Sequence, residues 1–157
     1  MIYIAHRGNI KGSDPQRENA PGYIDEALNL GYKAEVDLWA EGDQLWLGHD
    51  APLYPIYIDF IRCRQRELFV HCKNTDALDA VRSGKVDAHY FFHQHDDYTL
   101  TSEGLVWVYP GRMMCDKSIL VLPESWLNND QYVDYIERWQ GKIVGVCSDF
   151  VDTLKTL

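Results

Sequence analysis

Two histidines, one arginine and three carboxylates are the residues of this chain best suited to do chemistry together. His6 and Arg7 directly follow the short apolar run Ile2-Tyr3-Ile4-Ala5, and His49 closes a second run, Gln44 to Gly48. Glu18 lies between them, as do Glu35 and Asp37 in an alternating stretch. Cleaving a phosphodiester takes a base for the attacking oxygen, an acid for the leaving oxygen, and positive charge on the non-bridging oxygens. A histidine pair, an arginine and a carboxylate-bound divalent cation meet all three needs. Oxygen ligands of this kind suit Mg²⁺, Ca²⁺ or Mn²⁺ rather than a structural zinc. The bland alternatives are a structural histidine at a strand end and strand carboxylates that simply face solvent.

The elements that must position these groups follow from periodicity. Lys33 to Trp39 alternates, with Ala34, Val36 and Leu38 on one face and Glu35 and Asp37 on the other, about 7 Å apart. Pro21 to Leu30 reads as a helix stopped by Gly31, and Tyr57 to Arg66 as an amphipathic helix. Leu68 to Lys73 is a strand that carries His71 and Lys73 on one face. Asn74 or Thr75 caps the next helix, which Gly84 ends. Ala88 to His93, Leu105 to Tyr109, Ile119 to Leu122 and Ile143 to Cys147 read as further strands, and Asp130 to Trp139 as a helix. Strands alternating with helices at this spacing predict right-handed crossovers. The fold class expected is α/β: one domain over residues 1–157, a reduced (β/α) TIM-like barrel of about seven parallel strands. The link Pro110 to Ser118 is too short for a helical crossover.

The succession His6-Arg7-Gly8, Glu18-Asn19-Ala20, Glu35-Val36-Asp37 and Leu47-Gly48-His49-Asp50 resembles the signature of the glycerophosphodiester phosphodiesterase family. It covers roughly the first third of the chain. The resemblance implies a phospholipase-C-like barrel that hydrolyses glycerophosphodiesters to glycerol 3-phosphate and an alcohol with a divalent metal. It implies His6 as first base and His49 as first acid, Arg7 on the phosphate, and Glu35, Asp37 and Glu18 on the metal. In the family the substrate's neighbouring hydroxyl attacks phosphorus, and water then opens the cyclic phosphate.

The later chain departs from that pattern. Where the family carries a metal-binding glutamate two residues before a lysine, Phe69-Val70-His71-Cys72-Lys73 has His71. Histidine suits Mn²⁺ or Zn²⁺ better than Ca²⁺ or Mg²⁺. Either His71 joins a changed metal shell, or Glu18, Glu35 and Asp37 hold the metal without it, or the metal is lost. Lys73 is retained as a substrate contact, and Trp107, with Trp39 and Phe92, is the source of an aromatic substrate wall. The loop His93-Gln94-His95-Asp96-Asp97 reads as polar, or as an accessory metal site; Arg112 reads as a surface residue or a group at the mouth. Ser148-Asp149 serves substrate contact and helix capping equally well.

Bulk composition narrows the partners. At 157 residues the chain is about a hundred short of a typical barrel of roughly 250. A formal charge of -9 excludes a general nucleic-acid binder, which needs a basic surface. Four cysteines without metal-like spacing fit a reducing compartment. The chain starts inside its first strand, leaving no room for a signal peptide, and no apolar run approaches the roughly 20 residues of a membrane span. The expectation is a cytoplasmic protein without stable membrane association, acting on a small-molecule phosphodiester. A homo-oligomer that completes the short wall is open. So are a non-hydrolytic relative that binds a phosphorylated metabolite or partner, and a phosphodiesterase for another headgroup.

Overall fold

Strand β1 (Ile2–Ala5) ends in a 3₁₀ turn over His6–Gly8, in which Arg7 takes left-handed angles (φ 52°, ψ 24°). Helix α1 (Pro21–Asn29) starts with Pro21 in its first turn, where a missing N–H costs nothing, and buries Tyr23, Ile24 and Ala27. It leads into β2 (Lys33–Glu41), which turns at Gly42 into β3 (Gln44–Leu47), followed by β4 (Tyr54–Ile56) and the short helix α2 (Ile58–Arg62). Then come β5 (Leu68–Cys72), α3 (Thr75–Ser83), capped by the Asn74 side chain on the Ala77 N–H, and β6 (His89–Phe92). Strands β7 (Tyr98–Leu100), β8 (Val106–Val108) and β9 (Ser118–Val121) follow without an intervening α-helix. Helix α4 (Asn129–Arg138), β10 (Ile143–Ser148) and α5 (Val151–Thr156) complete the chain. The computed structural model describes residues 1–84 and 87–157.

The sheet is not a closed parallel TIM barrel, which corrects the expected fold class. Among the described residues ten strands form a mixed sheet curled through 210°. Parallel pairings run β6-β5-β2-β1-β10-β9-β8, while β2 with β3, β3 with β4 and β7 with β8 are antiparallel. The physical reason lies between β6 and β9. A parallel crossover needs a dozen or more residues, usually with a helix. There the chain instead folds β7 back onto β8 and spans Tyr109 to Lys117 as a loop. Strand β6 has β5 as its ladder partner. Across the gap, contact is local: the Ser102 N–H donates to the Tyr90 carbonyl at 2.8 Å, and Ser102 Oγ donates to the Ala88 carbonyl at 2.9 Å. The amphipathic helix expected over Tyr57 to Arg66 is the single turn and a half of α2, because Cys63 onward leaves the helix.

Apolar side chains divide between the two faces of the curl. Outside, Ala34, Val36 and Leu38 of β2 pack with Ile24, Ile61, Ala77 and Val81 of the helices. A second outer cluster joins Leu120, Val146, Tyr132 and Leu154. Inside, Ile4, Phe69, Phe91, Trp107, Ile119 and Cys147 fill the concave face. Glu35 and Asp37 therefore point into the interior, where they are 3% and 1% exposed. Among the described residues no helix is long and apolar enough to cross a membrane.

Candidate functional site

The site lies at the carboxyl ends of β1, β2 and β5, where the sheet delivers side chains from successive strands to one place. The register pairs Asp37 with His71, so a carboxylate and an imidazole stand side by side on neighbouring strands. Asp37 collects most of the contacts. Its Oδ1 lies 3.0 Å from His71 Nδ1 and 3.4 Å from Lys73 Nζ. Its Oδ2 accepts from Asn19 Nδ2 at 2.9 Å, and its backbone N–H donates to Asn19 Oδ1 at 2.8 Å. Arg7 Nε is 3.1 Å from Oδ2, but its N–H is not aimed for a hydrogen bond, so that contact is an ion pair only. Burial alone would raise the Asp37 pKa; the His71 hydrogen bond and the Arg7 and Lys73 charges outweigh it and hold the group well below the usual carboxylate range.

Glu35 is the opposite case. Its Oε2 accepts the Arg7 backbone N–H at 3.1 Å, yet burial and the neighbouring Asp37 charge push its pKa up. Two carboxylates in one buried place ionise with difficulty unless positive charge joins them. One ligand atom from each of Glu35, Asp37 and His71 falls within a 4.8 Å group. Two oxygens and an imidazole nitrogen form a donor set suited to Mn²⁺ or Zn²⁺ more than to Mg²⁺ or Ca²⁺. Glu18 stands apart from that group. Its Oε1 accepts from Ser13 Oγ (2.7 Å) and Asn9 Nδ2 (2.9 Å), and its Oε2 from Arg7 Nη1 (3.1 Å). It orients the arginine.

The two histidines are held differently. His6 Nδ1 lies 2.7 Å from Asp149 Oδ1, which also accepts from Asn9 Nδ2 at 2.8 Å. A carboxylate only accepts, so Nδ1 carries the proton and Nε2 is the free nitrogen. Burial lowers the His6 pKa, but the Asp149 hydrogen bond and the Glu35 charge overcome it, leaving the ring above the ordinary histidine value. Asp149 is held low by the same bond against its own burial. His49 has the reverse balance: burial lowers its pKa, and the Asp50 partner at 2.6 Å does not make up the difference. Gly48 sets the His49 loop, since a Cβ there would sit 2.1 Å from the Ala51 carbonyl oxygen. Trp39 Nε1 donates to the Gly48 carbonyl at 2.6 Å, so Trp39 braces this loop.

One cavity of about 230 Å³ is lined by His6, Arg7, Glu35, Asp37, His49 and His71, with Trp107, Tyr109 and His93 in the facing wall. Lys73 opens onto an adjoining chamber, and Phe92 packs with the outer cluster. His93 stacks on His71 with ring centroids 4.3 Å apart. Its pKa is pushed down to about 4 by burial and then by the His71 and Lys73 charges. Arg112 pairs with Asp97 at 2.9 Å. Sequence reasoning gave no role to Asn19, Tyr109 or Glu124, whose Oε1 accepts the Asp149 N–H at 2.8 Å. The signal for Asn19 was its place directly after Glu18; for Asp149 it was the end of the last strand, opposite the end of the first.

No protein-family model matches this chain, and no curated protein or solved structure matches it.

Proposed function

We propose that the protein is a metal-dependent phosphodiesterase that cleaves a glycerophosphodiester to glycerol 3-phosphate and an alcohol by histidine acid–base catalysis. The observation that carries this reading is the meeting of two histidines with opposite protonation tendencies, an arginine, and an acidic group in one cavity of about 230 Å³. Enzymes that need an acid and a base together separate their affinities in this way.

The field around the rings favours the reverse of the roles the resemblance implies. His49, neutral near pH 7, takes the proton of the attacking oxygen as that oxygen bonds to phosphorus. The bond from phosphorus to the leaving alcohol breaks, and that oxygen takes the proton from His6, which leaves a cyclic phosphate when the attacking oxygen is the glycerol hydroxyl. Water then bonds to phosphorus and gives a proton to His6, while the ring oxygen departs with the proton held by His49. Arg7 balances charge on the non-bridging oxygens, oriented by Glu18. Glu35, Asp37 and His71 would hold the cation, which when bound adds positive charge beside the phosphate. The cavity, about 230 Å³, is of a size for a phosphate with a short polyol.

One observation favours a second reading, a binding protein for a phosphorylated metabolite. Asp37 already has Arg7, His71, Lys73 and Asn19 around it, and such a carboxylate is compensated without a cation. Release of glycerol 3-phosphate from glycerophosphocholine, glycerophosphoethanolamine and glycerophosphoglycerol separates the two. The expected result is turnover that EDTA stops, a divalent ion restores and His49→Ala abolishes. No turnover with Mg²⁺, Ca²⁺, Mn²⁺ or Zn²⁺, from folded protein that binds the ion, overturns the enzymatic reading.

A further inference from the structure

A second chamber of about 370 Å³ adjoins the catalytic cavity and shares His49, His71, His93 and Tyr109 with it. Lys73, Gln94 and His95 are its own contribution. The chain carries 24 aspartates and glutamates, yet none of the seven residues lining this chamber is a carboxylate. Every one of them can donate a hydrogen bond: an ammonium, a side-chain amide, a phenol and four imidazoles.

Asp96 lies near His93 but outside the lining, and the other nearby carboxylates have partners. Asp50 lies 2.6 Å from His49, Asp97 pairs with Arg112 at 2.9 Å, and Asp37 is enclosed by four partners. The chamber's inner wall is also built to stay in place. His71 and His93 are both 8% exposed, their rings stack within 6° of parallel, and Tyr109 meets His93 edge-on at 4.8 Å. Tyr109 Oη reaches to 2.5 Å from His93 Nε2. Lys73 makes one loose contact, 3.4 Å to Asp37, and keeps donors for another acceptor. Lys73 can only donate, the other six can each turn a donor inward, and with no carboxylate in the lining the wall favours a ligand that accepts.

We propose that this chamber binds a second anionic group on the substrate, a phosphate monoester or a carboxylate carried by the leaving alcohol. The inference rests on the phosphodiesterase reading and narrows its substrate class. A diester whose phosphorus sits among His6, Arg7 and His49 has one arm directed at the shared wall. An anionic arm meets Lys73, Gln94 and His95 there. A quaternary or primary ammonium arm meets Lys73 with like charge and finds no free carboxylate in the wall.

Gln94 and His95 are exposed, so a Gln94→Glu/His95→Glu variant reverses the chamber's character without touching the core. Binding of inorganic phosphate to the purified protein, followed by calorimetry, tests the chamber without any turnover. At least one phosphate site weakened about tenfold by the double variant is expected, from charges placed within several ångströms of the anion. Phosphate binding that the variant leaves unchanged, or no phosphate binding, overturns the proposal. Three substrates then separate the sources: glycerophosphoglycerol, the same diester with a terminal phosphate on its arm, and the same with a terminal carboxylate. The variant is expected to lower kcat/KM about tenfold for the anionic arm that is used and to leave the neutral arm within about twofold. Equal losses on all three overturn the subsite. Absence of turnover on all three, with phosphate binding still lost in the variant, removes the enzymatic reading and keeps the anion site.

Discussion

Replacing Asp149 with asparagine tests how His6 is prepared for its role. The carboxylate holds Nδ1 of His6 at 2.7 Å, fixes the tautomer, and is the first favourable influence that opposes burial of the charged ring. Asparagine keeps the size and an acceptor oxygen but removes the charge. A hydrogen bond to a charged group contributes about 1.5–3 kcal/mol and a neutral one about 0.5–1.5, so the change costs about 1–2 kcal/mol. If the bond supports the acid form of His6 in the transition state, kcat/KM at neutral pH falls roughly 5- to 30-fold. The backbone around residue 149 stays anchored, because its N–H donates to Glu124 and not to its own side chain.

The pH profile carries the sharper test. Under the proposed mechanism His6 must be protonated to give its proton, so its raised pKa would define the alkaline limb, and His49 must be neutral, so its lowered pKa would define the acidic limb. Without Asp149 burial prevails, and the alkaline limb moves to lower pH while the acidic limb stays. Stability follows the same linkage. A raised folded pKa contributes stability below the unfolded value of 6.5 that is lost as pH rises through the folded value. The Tm difference between wild type and Asp149→Asn is therefore larger at pH 6 than at pH 9. Asp149→Glu is expected to recover part of the rate. An alkaline limb that does not move, with His6 titrating unchanged by NMR, refutes the assignment of Asp149 as the positioning residue.

Glu35→Gln keeps an acceptor for the Arg7 N–H and removes a buried charge whose raised pKa makes its ionised form costly above pH 4.5. The metal-free variant is expected to gain about 1 kcal/mol, roughly 3 °C in Tm, and to lose any thermal shift with Mn²⁺. His71→Glu restores an all-oxygen set on β5; activity is expected to move from Mn²⁺ toward Mg²⁺ in a metal add-back assay, and an unchanged preference places His71 outside the shell. Gly48→Ala forces a Cβ against the Ala51 carbonyl at φ +151° and is expected to cost about 2–4 kcal/mol in urea unfolding. A loss under about 0.5 kcal/mol shows that the His49 loop is free to rearrange.

What was legible in the sequence was mostly local. The alternation over Lys33 to Trp39 placed Glu35 and Asp37 on one face, and the structure puts that face inside, because Ala34, Val36 and Leu38 are needed under the helices. The start of α1 at Pro21 and the cap of α3 at Asn74 depend on single residues, so they too could be read directly. Closure could not. The alternation of strands and helices speaks to crossovers, and it fails where β7 turns back over three residues with no long apolar run to announce it. Nor could sequence separation reveal that Asp149 meets His6. That contact spans 143 positions and exists because β10 lies beside β1, with Ala5 in register with Ser148.

The same register explains why an incomplete barrel can still hold a site. A catalytic mouth needs adjoining strands that end at one level; it does not need every strand around the ring. Here β10, β1, β2 and β5 are paired without interruption and supply Asp149, His6, Arg7, Glu35, Asp37 and His71. The irregular side, from β6 to β9, supplies His93, Trp107 and Tyr109, which form walls and carry no metal ligand in the cluster found. Under the proposed function, the open side of the sheet is therefore the part that would shape the substrate's arm, and the continuous parallel side is the part that would handle the proton. On that division, substitutions at Tyr109 or His95 should change which diester is preferred, whereas those at His6 or Asp149 should change how fast any diester is cleaved.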